Sequence, residues 1–312
     1  MSNIRPATEN TLQAIGNTPL VRLNKVVPAG CADVYVKLEL VNPTGSYKDR
    51  MALSMIEEAE KRGDLRPGMT VVEYTGGSTG SSLAFVCAAK GYAFHVVSSD
   101  AFAQEKLSTM EAFGAQLEIE PSINGQITPD LVPRMIARAR ELAGQPGTYW
   151  TDQLNNSDSL VGYREIGREL LAQIPLIDAF CGMVGTAGMV MGVSSILKEA
   201  RPETRLVALE PATSAFISTG KSGNHRIEGT GIGFMPPLFK HESVDEVRPV
   251  DERQGREMAR RLAREEGIFT GISSGCNAVA ALEIAQELGP GHTVVTVAVD
   301  SGLKYLAGDL YL

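Results

Sequence analysis

Four short stretches of this 312-residue chain carry residue types that could do chemistry. The first is Asn42-Pro43-Thr44-Gly45-Ser46-Tyr47-Lys48-Asp49-Arg50. Gly45 permits a tight turn, Ser46 can cap, and Lys48 falls in the first turn of a helix that follows. The partial positive charge of a helix N-terminus disfavours a second positive charge there. That is the condition under which a lysine amine becomes nucleophilic enough for imine chemistry. A solvated lysine paired with Asp49 is the plainer alternative. The second stretch, Glu73-Tyr74-Thr75-Gly76-Gly77-Ser78-Thr79-Gly80-Ser81-Ser82, joins a strand to a helix. Its small residues leave successive backbone N–H groups open, and Thr75, Ser78 and Thr79 add hydroxyls, which suits a carboxylate or a phosphate. A plain capped turn would need fewer small residues. The third, Gly182-Met183-Val184-Gly185-Thr186-Ala187-Gly188-Met189, again ends a strand, opens a helix and suits a phosphate. The fourth, Thr270-Gly271-Ile272-Ser273-Ser274-Gly275, is on its own no more than a serine-capped helix start.

Taken together these stretches narrow the chemistry. One activated lysine, two anion sites and a further polar turn suit a phosphorylated aldehyde cofactor and an anionic substrate. Pyridoxal phosphate requires a lysine for its imine, a cradle for its phosphate and a partner for its ring nitrogen. Other chemistries find less support. There is no G-x-x-x-x-G-K-[ST] motif, so a P-loop nucleotidase is not indicated. Gly229-Thr230-Gly231-Ile232-Gly233 opens no evident helix, which leaves a dinucleotide-binding fold a weak match. Cys31, Cys87, Cys181 and Cys276 are widely separated, and the four histidines form no metal-binding spacing, so no metal site is expected.

The elements that must position these stretches alternate regularly. Short β-branched runs at 34–38, 70–73, 94–98, 117–120, 179–183, 206–209 and 294–298 read as strands. Amphipathic segments at 48–61, 79–90, 105–113, 131–142, 159–173, 188–200, 252–266 and 275–288 read as helices. Strand–helix alternation implies an α/β fold of mainly parallel sheets, with ligands held beyond the carboxyl ends of the strands. The length suits about two domains. Lys plus Arg is 29 against 37 for Asp plus Glu, a net charge of −8, which argues against nucleic acid and against an anionic membrane surface. No apolar leader opens the chain at Met1–Pro6 and no run is long enough to span a bilayer, so a cytoplasmic location is expected. The sparse cysteines agree with a reducing compartment.

The sequence resembles the cysteine synthase and cystathionine β-synthase family of type II pyridoxal phosphate enzymes. Ile15-Gly16-Asn17-Thr18-Pro19-Leu20-Val21-Arg22-Leu23 resembles the family's opening motif. Asn42 to Arg50 resembles N-P-A-G-S-V-K-D-R, Ile227 to Pro236 resembles I-Q-G-I-G-A-G-F-I-P, and Gly271 to Gly275 matches G-I-S-S-G. The resemblance implies a tryptophan-synthase-β-like fold. Residues 1–40 plus 150–312 would form a large cofactor-binding domain. Residues 41–149 would form a small mobile domain, with the cofactor held between the two. It implies that Lys48 is the imine lysine and the catalytic base. Ser78, Gly185, Thr186, Ala187, Gly188, Met189 and Ser273 would join it in binding the cofactor, Ser273 at the ring nitrogen. Thr75, Gly76, Ser78, Thr79, Gln153 and Gly229 would bind substrate. The implied reaction is β-replacement on an activated serine such as O-acetylserine, giving cysteine or another β-substituted alanine, in a homodimer.

The motifs also depart from the family pattern. Gly76 stands for a serine and Ser78 for an asparagine in T-S-G-N-T-G; Met189 replaces a threonine in the phosphate loop; Asp300 replaces a serine in P-S-S-G. These changes keep open a different nucleophile (an amine, cyanide or homocysteine), elimination to pyruvate, or a relative that binds without turnover.

Overall fold

The computed structural model describes residues 7–125 and 130–312; Met1–Pro6, read above for a leader, lie outside the described residues. In chain order the strands are Leu20–Arg22 (β1), Asp33–Leu38 (β2), Thr70–Tyr74 (β3), Ala93–Ser99 (β4), Gln116–Glu120 (β5), Thr148–Trp150 (β6), Ala179–Met183 (β7), Arg205–Pro211 (β8), Glu246–Val250 (β9) and Thr293–Ala298 (β10). The α-helices are Lys48–Arg62 (α1), Ser78–Lys90 (α2), Gln104–Ala112 (α3), Leu131–Ala143 (α4), Ser159–Gln173 (α5), Gly188–Ala200 (α6), Phe216–Thr219 (α7), Glu252–Arg261 (α8) and Ile272–Leu288 (α9).

These elements sort into two units. The smaller carries a four-stranded, wholly parallel sheet in the order β5-β4-β3-β6. Its central strands are covered on both faces, with the adjacent pairs Val71, Val72 and Val96, Val97 fully buried. The larger unit carries a six-stranded sheet in the order β1-β2-β10-β7-β8-β9, parallel except where β1 meets β2. Here α9 packs on β7 and β10, with Ala280, Ala281, Ile284 and Ala285 fully buried on its inner face. Small side chains there let helix and sheet approach closely.

The smaller unit gathers residues 7–17, 42–44 and 48–151 (as far as described), and the larger takes 18–41, 45–47 and 152–312. Residues 7–17 belong to the smaller unit because Gly16 donates its N–H to the Asn42 side-chain oxygen at 2.8 Å, and a 3-10 turn at Thr11–Ala14 packs on α2.

Three of the cysteines lie deep in this architecture. Burial pushes the thiols of Cys87, Cys181 and Cys276 up to about 12, whereas Cys31 is half-buried. A thiolate-seeking reagent such as iodoacetamide, at about pH 8, is therefore expected to label one cysteine in the folded protein and all four after denaturation. Rapid labelling of the peptide holding Cys181 in native protein would contradict the packing described.

Candidate active site

Three of the four turns singled out from the sequence lie where a strand's carboxyl end leads on to a helix, whereas the fourth, Thr270–Gly275, follows the helical segment that ends at Glu266 and opens α9. In the smaller unit, β3 runs into the Thr75–Gly77 turn and then α2, while Lys48 is the first residue of α1. Lys48 is only 7% exposed, which removes the reading of a solvated surface lysine. Its Nζ lies 3.9 Å from the Met51 sulfur, one helical turn on. The turn before it is fixed from inside. Asp49, fully buried, accepts from the Thr44 N–H at 2.8 Å and the Thr44 hydroxyl at 2.5 Å. The Thr44 hydroxyl also lies 3.2 Å from that of Ser82 on α2. This bridge brings the lysine turn and the Thr75–Thr79 turn to one place within the unit.

The second turn is shaped by its glycines. The Gly77 N–H donates to the Thr75 hydroxyl at 3.2 Å, and Gly77 caps α2, so Ser78 and Thr79 open that helix. A Cβ on Gly76 would lie 2.3 Å from the ring of Phe102, and one on Gly80 would lie 2.4 Å from the Met110 sulfur. The departure at position 76 thus has a physical cause: the Phe102 ring fills the space a serine side chain would need. Behind the turn, the buried Glu73 carboxylate accepts from the Tyr74 N–H at 2.9 Å and the Thr151 hydroxyl at 2.7 Å, holding the end of β3 against the end of β6.

In the larger unit, β7 runs into Val184–Ala187 and then α6. Ala187 caps this helix in the left-handed region at φ 69°, a conformation that turns successive N–H groups toward one point. A Cβ on Gly185 would lie 2.1 Å from the Gly229 carbonyl oxygen, so the two glycine motifs meet with no room for a side chain. The Met189 side chain packs back on β7, its terminal carbon 2.7 Å from where a Gly182 Cβ would sit. Position 189 can therefore serve an anion only through its backbone. Ser273 is buried in the first turn of α9, behind a Gly271 cap. That helix is tied to β7 by Asn277, whose side chain accepts from the Met183 N–H at 2.8 Å and donates to the Val297 carbonyl at 2.8 Å. Removing this side chain would strand two buried backbone groups, at about 1–3 kcal/mol each.

The Asp300 carboxylate also lies at the start of α9. One of its oxygens is 2.6 Å from where a Gly271 Cβ would sit, and the other accepts from the Tyr305 hydroxyl at 2.7 Å. Burial, and then the charge on Asp300, push the Tyr47 and Tyr305 phenols well above their ordinary range and keep them protonated. Gln153 is half-buried just after β6, and the exposed Gly229 has φ 74°.

A family model described as pyridoxal-phosphate dependent enzyme matches residues 11–300, nearly the whole chain. The chain belongs to the pyridoxal-phosphate dependent enzyme family. Among its curated relatives, a cysteine synthase of Staphylococcus aureus is 44% identical over 306 residues, 97% of either chain. Among solved structures, O-ureido-L-serine synthase superposes with a TM-score of 0.92 at 38% identity, covering 98% of this chain and 96% of that one. A cysteine synthase of Entamoeba histolytica superposes with a TM-score of 0.93 at 32% identity, covering 100% of this chain and 93% of that one. The protein is thus an α/β enzyme of the type II pyridoxal phosphate fold, and pyridoxal 5'-phosphate is its cofactor.

The local geometry fits that cofactor. The α6 N-terminus offers a phosphate cradle in which a Cβ at Gly185 would collide with Gly229, α9 presents a buried hydroxyl, and α1 opens with a buried amine. Sequence reasoning passed over Phe102 and Asn277, because each acts through a contact distant in sequence and neither sits in a short motif. Among the described residues no cluster of His, Cys, Asp or Glu could hold a metal ion, and no helix is long and apolar enough to cross a membrane.

Proposed function

We propose that the enzyme carries out β-replacement on an activated serine, of which O-acetylserine is the simplest, with sulfide as nucleophile and cysteine as product. The single observation that carries this reading is the buried amine of Lys48 at the head of α1, in a turn fixed by Asp49 and bridged to the Thr75–Thr79 turn. When bound, pyridoxal phosphate supplies electron withdrawal that loosens the proton on the substrate's α-carbon and the group on its β-carbon. Lys48 holds the cofactor, then takes the α-proton and returns it. Thr75, Gly76, Ser78, Thr79 and Gln153 orient the substrate carboxylate, with Gly229 close to the substrate. Gly185, Thr186, Ala187, Gly188 and the Met189 backbone hold the phosphate. The Ser273 hydroxyl meets the ring nitrogen, and Ser78 frames the cofactor. A homodimer acting in the cytoplasm is part of the same reading.

The test is direct. Purified protein given O-acetylserine and sulfide is expected to release cysteine and acetate in equal amounts. Release of acetate with pyruvate and no cysteine would replace the reading with elimination.

A second reading has a specific observation behind it. O-ureido-L-serine synthase is 38% identical at a TM-score of 0.92, and the pocket here departs from the family pattern at Gly76, Ser78, Met189 and Asp300. A nucleophile other than sulfide would then be the natural one. Product masses from a panel of nucleophiles offered at equal concentration separate the two.

A further inference from the structure

The connection between β8 and β9 carries the Ile227–Gly233 motif, and one imidazole closes that motif on itself. His225 is half-buried. Its Nε2 lies 3.0 Å from the Gly231 carbonyl oxygen, and its Nδ1 accepts from the Ile227 N–H at 3.2 Å. A carbonyl only accepts and an N–H only donates, so the ring carries its hydrogen on Nε2 and leaves Nδ1 bare. A single side chain thus joins the N–H at the start of the motif to a carbonyl further along it. The Thr230 hydroxyl tightens the same turn by donating to the Ile227 carbonyl at 2.9 Å. The ring also requires a glycine beside it, since a Cβ on Gly231 would lie 2.6 Å from Nε2.

This clip holds backbone that borders the α6 turn. The Gly231 N–H donates to the Val184 carbonyl at 3.1 Å, and the Gly229 carbonyl oxygen stands where a Gly185 Cβ would be. On the other side, the Arg226 N–H donates to the Glu252 carboxylate on α8 at 2.7 Å. No atom lies within 4 Å of where a Gly229 Cβ would sit, so hydrogen bonds to either side, and not packing over its Cα, set the place of Gly229. Glycines at 229, 231 and 233 leave the backbone other conformations to adopt. Hydrogen bonds that select one of them in advance reduce the ordering cost when a ligand arrives.

Resting on the reading of Gly229 as a substrate residue, we infer that His225 is a positioning residue. Its Nε2–H, bound to the Gly231 carbonyl, holds the 227–231 segment in the conformation that receives the amino-acid donor. It acts through the backbone of that segment.

The experiment compares the wild-type holoenzyme with H225Q, H225N and H225A, using O-acetylserine as donor. A glutamine amide can place an N–H where Nε2 stands. An asparagine oxygen can replace Nδ1, but the side chain is too short to reach Gly231. One neutral hydrogen bond corresponds to roughly a 10-fold change in affinity. His225→Asn and His225→Ala are expected to raise KM for O-acetylserine about 10-fold while kcat changes little. His225→Gln is expected to keep KM within about threefold of wild type, because the donor to Gly231 is restored. Equilibrium titration with cysteine, read from the cofactor's absorbance, should give the same order of affinities without turnover. Equal rises in KM for all three variants, or no rise in any, would overturn the inference, since neither result depends on the bond to Gly231. If H225A does not fold, the glutamine and asparagine variants decide, and equal KM values for the two sink the positioning role. Wild-type enzyme that neither turns over O-acetylserine nor responds to cysteine would overturn the parent reading, and the inference with it; an active wild type with indistinguishable variants overturns the inference alone.

Discussion

Lys48→Ala is expected to yield a folded protein with no measurable turnover and no cofactor fixed at residue 48. The side chain is buried at the head of α1, and the turn that presents it depends on Asp49 and Thr44, which the substitution leaves in place. Truncation therefore removes the amine without dismantling its support. The amine serves twice in the proposed reaction, as the anchor of the cofactor and as the group that moves the α-proton. Loss of a general base alone costs about 10²–10⁴-fold in rate. Loss of the anchoring and base roles together should take activity below detection. Borohydride treatment of wild type, followed by peptide mapping, should place one pyridoxyl label on the peptide holding Lys48; the variant should carry none. A variant that retains even a tenth of wild-type turnover, or a wild-type label at another lysine, would remove Lys48 from both roles.

The lysine was legible from sequence because its surroundings are local. A glycine, a capping residue and a basic residue within four positions describe a turn and a helix start without reference to any other part of the chain. The long helices were legible for the same reason, since their apolar periodicity is carried in each sequence window. The three strands that went unread are β1, β6 and β9. Two have three residues, too few for alternation to register, and all three lie at sheet edges. β9 also contains Pro249, which an edge strand tolerates and a central one does not. The segment 252–266 reads as one helix, yet α8 ends at Arg261 and Leu262–Glu266 continues with π-type bonding until Gly267 stops it at φ 72°. The start of α9 lies earlier than its periodicity indicates, at Ile272, because Ser273, Ser274 and Gly275 signal a turn on composition while their backbone is already helical.

The departures from the family motifs show the other limit. Gly76 looks like a lost hydroxyl when the motif is read alone. Beside Phe102 it is half of a complementary pair, and the ring is 26 positions away. Met189 looks like a lost hydrogen bond, yet its side chain belongs to the packing between α6 and β7. Asp300 sits among tyrosines whose protonation it helps to maintain, a relation that joins positions 47, 300 and 305. In each case the physical cause is a tertiary contact, which a single sequence does not display.

Gly185→Ala is expected to lower both stability and cofactor affinity, and the reason is space and not backbone freedom. The added Cβ would lie 2.1 Å from the Gly229 carbonyl oxygen, where ordinary contact begins at 3.4 Å. Neither neighbour is the flexible tip of a side chain. One backbone segment has to move by more than an ångström, and both belong to the proposed site: Gly185 to the phosphate cradle, Gly229 to the substrate motif. Overpacking of this kind costs about 1–3 kcal/mol even where side chains can adjust. Here the backbone must yield, so the upper end applies, and the phosphate's N–H donors are displaced with it. Gly229→Ala is the matching control. Its φ of 74° strains an L-residue by about 1–2 kcal/mol, but no atom lies within 4 Å of the new Cβ. The alanine at 229 should therefore lower the melting temperature modestly and leave the phosphate cradle intact. The alanine at 185 should lower it further and weaken pyridoxal phosphate binding by about tenfold or more, read by thermal melts and by cofactor titration of the apoenzyme. If both variants bind the cofactor as wild type does, the contact between the two glycine motifs has no part in holding the phosphate.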